Sequence, residues 1–158
     1  MALVRILVDG YSLLHNWQAL APDAPRHSEA ARDELIHWLT RYYDATGTPI
    51  TIFFDGANHA PGKSATESSR AVEVLYSRAG QTADQMIERA AHRFTAHGEV
   101  LVVTDDQAER ETVQALGGLT SGCLNFIRTV EQAFAELHEN IQNLNRREQF
   151  RFSRSPLS

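Results

Sequence analysis

LVRILVDG, at residues 3–10, reads as a strand buried on both faces. Only Arg5 interrupts its apolar run before Asp9, a pattern typical of a strand in a parallel sheet that is covered on both faces. Two later stretches repeat it and also end in aspartate, PITIFFDG at 49–56 and VLVVTDD at 100–106. With helical sequence between them, they predict βαβ units. We therefore expect a three-layer α/β/α fold around a mainly parallel sheet of about five strands.

Helical periodicity and turn signals place the other elements. Strands are expected at VEVLY (72–76) and, briefly, around Leu119. Residues 56–70 are polar, contain glycine and proline, and predict a mobile loop. Helices are expected at 28–45, 82–96, 105–116 and from 121 into the 140s.

The composition indicates one globular domain in the cytoplasm. The 158 residues are 42% hydrophobic and 22% charged, an ordinary globular mixture. The single cysteine, Cys123, excludes an intrachain disulfide and favours a reducing compartment. We expect no membrane-spanning helix, because no window of about 18 apolar residues occurs. We also expect no signal peptide, because Asp9 interrupts the opening apolar run too soon.

The net charge of −5 is unevenly distributed. Residues 145–158 hold four arginines and one glutamate, a charge of +3, which leaves −8 on the other 144 residues. An acidic surface argues against broad nonspecific binding to duplex DNA, although nucleic acid can still bind at a local basic patch. We expect a folded domain at 1–144 and a basic tail at 145–158 that is either disordered or ordered by a partner.

Carboxylates follow several strands of the predicted sheet. Asp9 and Asp55 end the first two strands, the pair Asp105 and Asp106 ends the fourth, and Asp84 lies in the first turn of the helix after the third. Because ligands collect at the carboxyl ends of parallel strands, these side chains are expected at one edge. Their mutual repulsion is relieved by a divalent cation, and Mg²⁺ or Mn²⁺ prefers oxygen ligands. Such a centre suits phosphodiester hydrolysis.

Other chemistries lack their signatures. The sequence has no GxGxxG after the first strand, no GxxxxGK[ST] and no GxSxG, so dinucleotide, P-loop and serine-hydrolase sites are not expected. Histidine and cysteine do not cluster at the spacing of zinc ligands. A phosphatase with an aspartyl nucleophile would usually have a second aspartate at position 11, where this chain has Tyr11.

Three phrases in register suggest a family: VDGYS at 8–12, GQTADQMIE at 80–88 and VVTDDQAE at 102–109. Their order and spacing resemble the NYN domains, a branch of the PIN-like nucleases, and among them the YacP-like ribonucleases of bacteria and plastids. That group typically reads VDGYN, GxTAD-x-x-IE and VVT-x-D-x-AE at these points. The resemblance extends over about residues 3–130.

The resemblance implies a metal-dependent endoribonuclease. Carried over by position, the catalytic carboxylates that bind Mg²⁺ or Mn²⁺ would be Asp9, Asp84 and Asp106. Asp55 would lie beside them and reach the metal through water, and Asp105 is the alternative to Asp106. Some members of the group are linked to translating ribosomes and mRNA decay. Single-stranded RNA, mRNA and the ribosome are therefore candidate partners.

The substrate-binding candidates surround these carboxylates in the sequence. Ser12 replaces the asparagine usual in the family, so a hydroxyl would take the place of an amide contact. Tyr11 is placed to stack on a base or a sugar. Lys63, Arg70 and Arg78 are candidates for contacts with phosphates.

Two alternatives stay open from the sequence alone. The same fold could serve as an RNA-binding or interaction module with a weak or silent metal site. A small-molecule phosphatase is the other alternative, and Tyr11 disfavours it.

Overall fold

A computed structural model describes residues 3–56 and 72–154 of the chain, with side chains as far as residue 148. The loop predicted at 56–70 therefore lies almost wholly outside the described residues. In chain order the elements are β1 (Leu3–Asp9), α1 (Gly10–Asn16), α2 (Glu29–Thr46), β2 (Ile50–Phe54), β3 (Val72–Tyr76), α3 (Ala83–Thr95), β4 (Glu99–Val103), α4 (Gln107–Ala115), β5 (Leu119–Ser121) and α5 (Cys123–Arg154).

The five strands form one parallel sheet in the order β3-β2-β1-β4-β5, which confirms the predicted fold class. β1 is the central strand, and its Val8 pairs with Ile52 of β2 and with Val103 of β4. Because every strand runs in the same direction, all five carboxyl ends lie at one edge. In open sheets of this kind that edge is where ligands bind.

Helices cover both faces of the sheet. Val8 faces a core beneath α1, α2 and α5 that contains Leu35, whereas its neighbour Leu7 faces a second core with Ile87 of α3 and Val113 of α4. This alternation follows from the two-residue period of a strand. Burial on both sides explains why β1 is apolar almost throughout.

Helices α1, α3 and α4 each begin at the carboxyl edge of the sheet, and a side chain caps each of them. Asp9 caps α1, Thr82 caps α3 in a reciprocal capping box with Gln85, and Asp106 caps α4. Backbone N–H groups and the positive ends of three helix dipoles therefore point towards this edge. The edge favours anionic side chains for this reason.

The structure differs from the sequence-based expectation at two helices. α1 was not predicted, because a helix of seven residues is too short to show a periodic pattern. α5 continues to Arg154, so the change to basic sequence at residue 145 does not end the helix. The division into a domain at 1–144 and a tail at 145–158 stays a prediction.

Among the described residues, no helix is both long enough and apolar enough to cross a membrane.

Candidate metal centre

Three carboxylates from three elements converge at the carboxyl edge of the sheet. Asp9 ends β1, Asp84 lies in the first turn of α3 and Glu109 lies in the first turn of α4. One carboxylate oxygen from each lies within 4.8 Å of those from the other two. Among the described residues, this is the group that could hold a metal ion.

The Asp9 carboxylate is held in place by the helix that it caps. Its Oδ1 accepts a hydrogen bond from the Ser12 backbone N–H at 3.4 Å, and its Oδ2 accepts one from the Ser12 hydroxyl at 2.9 Å. Burial raises the pKa of Asp9, and the charges of Asp84 and Asp106 raise it further, while the two bonds from Ser12 lower it. Ser12 therefore orients Asp9 and favours its anionic form.

Glu109 is the residue of this centre that the sequence analysis did not assign. Its side chain is 2% exposed, and its Oε2 lies 3.5 Å from the Thr104 hydroxyl. Its Oε1 is buried, and no N–H or hydroxyl of the described residues donates to it. The signal was present in the phrase VVTDDQAE at 102–109, where Glu109 is the final residue.

The surroundings of Glu109 favour its protonated form. Burial raises its pKa to about 9, helped by the close approach of the Asp84 carboxyl and by the charges of Asp9 and Asp106. Two carboxyl groups this close repel each other unless one of them carries a proton. A buried acid with like-charged neighbours and an unpartnered oxygen is typical of a position that a cation completes.

Asp106 lies beside this group with one oxygen already engaged. Its Oδ1 accepts from the backbone N–H groups of Ala108 at 2.9 Å and Glu109 at 3.2 Å. Its charge nevertheless raises the pKa of both Asp9 and Glu109. The structure thus places Asp106 next to the centre as the cap of α4, and its role as a ligand stays a prediction.

Asp105 ties together the elements around the centre. Its Oδ1 accepts from the backbone N–H of Cys123 at 2.9 Å, and its Oδ2 accepts from the Asn16 amide at 3.1 Å. The carboxylate thus joins the end of β4 to α5 and α1. The Cys123 thiol is buried, and burial together with Asp105 raises its pKa to about 12, which makes it a poor nucleophile.

We expect Asp105→Ala to destabilise the fold with little effect on the centre. Loss of the cap on α5 costs about 1 kcal/mol, which lowers the melting temperature by about 3 °C in a chain of this size. Asp105→Asn is the matched control, because its amide oxygen can still accept from Cys123. Thermal unfolding followed by circular dichroism measures both variants. Equal melting temperatures for wild type and Asp105→Ala would contradict the structural role of the carboxylate.

A pocket of about 420 Å³ opens beside Asp9 and Asp84. The predicted residues Tyr11, Ser12 and Asp55 line it, and so do two histidines, His15 and His27. The Asp55 carboxylate accepts a hydrogen bond from the Ser77 hydroxyl at 3.2 Å.

Of the three basic residues predicted to contact phosphates, the structure describes Arg78, which does not line this pocket. Arg78 is exposed and lines a separate hollow together with Glu88 and Arg89. Lys63 and Arg70 lie outside the described residues. Their contacts with substrate stay predictions.

The donor set fits a hard divalent cation. All three convergent groups are carboxylates, the ligands that Mg²⁺ and Mn²⁺ prefer. The buried Oε1 of Glu109 lacks a donor among the described residues, and a cation would satisfy it. The residues present therefore fit a metal centre of this kind.

The fold and this acidic centre agree with the family that the chain matches. A family profile described as the YacP-like NYN domain matches residues 6–158, so the chain belongs to the YacP-like NYN family. NYN domains are generally nuclease domains, and membership therefore indicates a nuclease or RNA-related function.

Particular relatives come from Bacillus subtilis. The chain is 27% identical over 140 residues to a protein of strain 168 described as uncharacterized protein YacP, a match that covers 88% of this chain and 82% of that protein. Two crystal structures of Rae1 (YacP) from Bacillus subtilis are similar to the present chain. The structure of a point mutant is 26% identical to it in sequence, with a TM-score of 0.73, and the match covers 98% of this chain and 86% of the Rae1 chain. The other has 25% identity and a TM-score of 0.74, covering 94% and 84%.

Proposed function

We propose that this protein is a metal-dependent endoribonuclease that hydrolyses phosphodiester bonds of single-stranded RNA. The observation that carries the proposal is the convergence of Asp9, Asp84 and Glu109 at the carboxyl edge of the sheet, with ligand oxygens within 4.8 Å of one another. Membership of the YacP-like NYN family supports it. The proposed cofactor is Mg²⁺ or Mn²⁺.

The side chains at and beside the pocket have different proposed roles. Asp9, Asp84 and Glu109 would hold the ion, with Asp106 and Asp55 beside them. Ser12 keeps the Asp9 carboxylate in one orientation through two hydrogen bonds. Tyr11 and Ser12 line the wall of the pocket against which the RNA would lie. A bound Mg²⁺ or Mn²⁺ would supply activation of a water molecule and neutralisation of charge on the phosphate.

The biological setting is the finer part of the proposal. We propose that the substrate is mRNA, that the protein acts in the cytoplasm, and that the ribosome presents the RNA to it. The support is the resemblance of the three sequence phrases to a group with members linked to translating ribosomes and mRNA decay. Lys63, Arg70 and Arg78 are proposed to contact phosphates outside the pocket.

The test is cleavage of an RNA that only an endonuclease can cut. The substrate is a single-stranded RNA blocked at both ends by a fluorophore and a quencher, incubated with Mn²⁺, with Mg²⁺ or with EDTA. We expect cleavage with metal, none with EDTA, and at least a hundredfold loss for Asp84→Asn, because one ligand of the ion is neutralised.

The matched control is Asp44→Asn, an exposed carboxylate near the end of α2, next to the start of β2 and so at the opposite edge of the sheet. This variant should cleave like wild type. Cleavage in EDTA, or equal cleavage by Asp84→Asn and wild type, would contradict the proposed metal centre. RNA binding without cleavage, with free RNA and also with translating ribosomes, would favour the alternative of a silent RNA-binding module.

A further inference from the structure

Two histidines form a wall of the carboxylate pocket. His15 lies on α1 and His27 in the segment that precedes α2, and both are exposed. Their Nε2 atoms are 3.2 Å apart, and their rings meet edge to face with centroids 5.1 Å apart. Both line the same pocket as Asp9 and Asp84. The pair is therefore part of the surface that a ligand in this pocket would touch.

The charge of the pocket gives this pair a distinct role. The other ionisable residues that line it are three aspartates, Asp9, Asp55 and Asp84, and the neutral phenol Tyr11. Among the described residues of this lining, only His15 and His27 can carry positive charge. An RNA strand brings one negative charge per nucleotide. A metal ion at the carboxylates would neutralise the scissile phosphate, and among the described residues of the lining only these two rings could neutralise a phosphate next to it.

The distance between the two rings limits the pair to one shared proton at their junction. At 3.2 Å one Nε2 donates and the other accepts, because two N–H groups cannot face each other at this separation. A protonated ring stabilises the contact as a charge-assisted hydrogen bond. Each ring keeps its Nδ1 for a ligand, since no described residue bonds to either of these atoms. With one ring protonated, the pair offers one positive charge and an Nδ1–H on each ring.

The wall is held in place from behind by Arg32. Its guanidinium donates to the backbone carbonyl of His27 at 2.8 Å and to the Tyr11 hydroxyl at 3.2 Å. The rings of Tyr11 and His27 pack with centroids 4.4 Å apart, and Tyr11 packs on Phe54 at 5.0 Å. A surface fixed in this way loses little conformational entropy when it binds a ligand.

We propose that His15 and His27 bind a phosphate of the RNA strand adjacent to the one that is cleaved. The proposal rests on the proposed function, because it takes RNA as the occupant of the pocket. It gives the chain a cationic phosphate site on the wall that α1 and the start of α2 form. The site acts through charge and selects no base.

Binding of a fluorescein-labelled single-stranded RNA tests this proposal independently of cleavage. Anisotropy is measured in EDTA at pH 6.0, where imidazole groups are ordinarily protonated, over a series of salt concentrations. We expect the double variant His15→Gln/His27→Gln, which removes the one positive charge of the pair, to weaken binding about tenfold at low salt. It should also reduce the slope of log K against log salt by about 0.7, the loss of one phosphate contact to a single strand.

Two further variants separate the effect of the positive charge on RNA binding from the effect of the aromatic ring. Combined with His27→Gln, His15→Lys keeps one positive charge and should retain the wild-type salt slope. Combined with His27→Gln, His15→Phe keeps a ring without the charge and should behave like the double glutamine variant. The control is His97→Gln, an exposed histidine just before β4 and thus at the opposite edge of the sheet, which should leave both affinity and slope unchanged. Circular dichroism checks that each variant is folded.

Two outcomes would overturn the phosphate site. One is an unchanged affinity and slope in the double variant His15→Gln/His27→Gln. The other is wild-type binding by His15→Phe combined with His27→Gln, which would mean that stacking on the ring holds the RNA. If the histidine variants lose affinity and slope as expected but the wild type never cleaves RNA with metal, the phosphate site stands and the proposed nuclease function fails.

Discussion

Replacing Glu109 by glutamine will stabilise the metal-free protein and remove metal-dependent cleavage. The two effects have opposite signs because the same carboxylate is costly to bury and is proposed to bind the ion. Glutamine has the shape of the protonated acid, so the packing around a side chain that is 2% exposed is preserved. We expect cleavage to fall at least a hundredfold with the loss of one metal-binding oxygen.

The gain in stability depends on pH in a defined direction. The folded protein keeps the proton of Glu109 up to about pH 9, whereas an unperturbed glutamic acid releases it near 4.5. Between these values the folded state binds one more proton than the unfolded state. The free energy of unfolding therefore falls by about 1.4 kcal/mol per pH unit as the pH rises through this window. At pH 7 this cost is about 3 kcal/mol, and the glutamine variant does not have it.

Urea unfolding in EDTA at pH 5, 7 and 8.5 measures this difference. The variant should be more stable than wild type at pH 7 and 8.5, with the gap closing at pH 5. Addition of Mn²⁺ should stabilise wild type, since a ligand that binds only the folded state raises its stability, and should leave the variant almost unchanged. Glu111→Gln, an exposed neighbour on α4, is the control and should match wild type. A Glu109→Gln variant less stable than wild type at pH 8.5 would refute this account of the buried acid.

Gly10→Ala is expected to produce a large loss of stability together with a loss of activity. Gly10 directly follows Asp9 and packs on the ring of Phe54, so an added methyl group would overlap that ring. Phe54 is fully buried and cannot move away freely. Overpacking of this kind costs about 2 kcal/mol, even though alanine favours the start of a helix. Because Phe54 also supports Tyr11 at the pocket, the substrate wall should shift as well.

The melting temperature of Gly10→Ala should fall by about 6 °C. The second-site variant Phe54→Leu tests the cause, because a smaller side chain leaves room for the methyl group. The double variant should lose less stability than the two single variants add up to. Strict additivity would show that the overlap with Phe54 is not the reason for the loss.

The sequence determined the fold class because its signal is repeated and local. The apolar runs at 3–8, 50–54 and 100–103 can each be recognised as a buried strand from their own residues. The helical sequence between them implies that the strands run parallel to one another. The position of Asp9 follows from the same pattern, since a residue that ends the central strand must lie at the carboxyl edge of the sheet. Asp84 could be placed there too, because it opens the helix after the third strand.

The grouping of the acids into one centre depends on how separate elements pack in the folded chain. Asp105, Asp106 and Glu109 lie within five residues of one another, and their order along the chain does not say where each carboxylate points. Folding directs Asp105 to Cys123 and Asn16, uses one oxygen of Asp106 to cap α4, and brings Glu109 into contact with the Asp84 carboxyl.

The helical turn is the physical reason for this outcome. The first turn of α4 directs the Glu109 side chain towards the end of β1. There it occupies a buried space that neighbouring elements enclose. The pairing of His15 with His27 has the same origin, since α1 and the segment before α2 meet only in the folded chain. The place of each strand along the chain and the residue that ends it are thus readable from local pattern, whereas contacts between side chains of separate elements depend on how those elements pack.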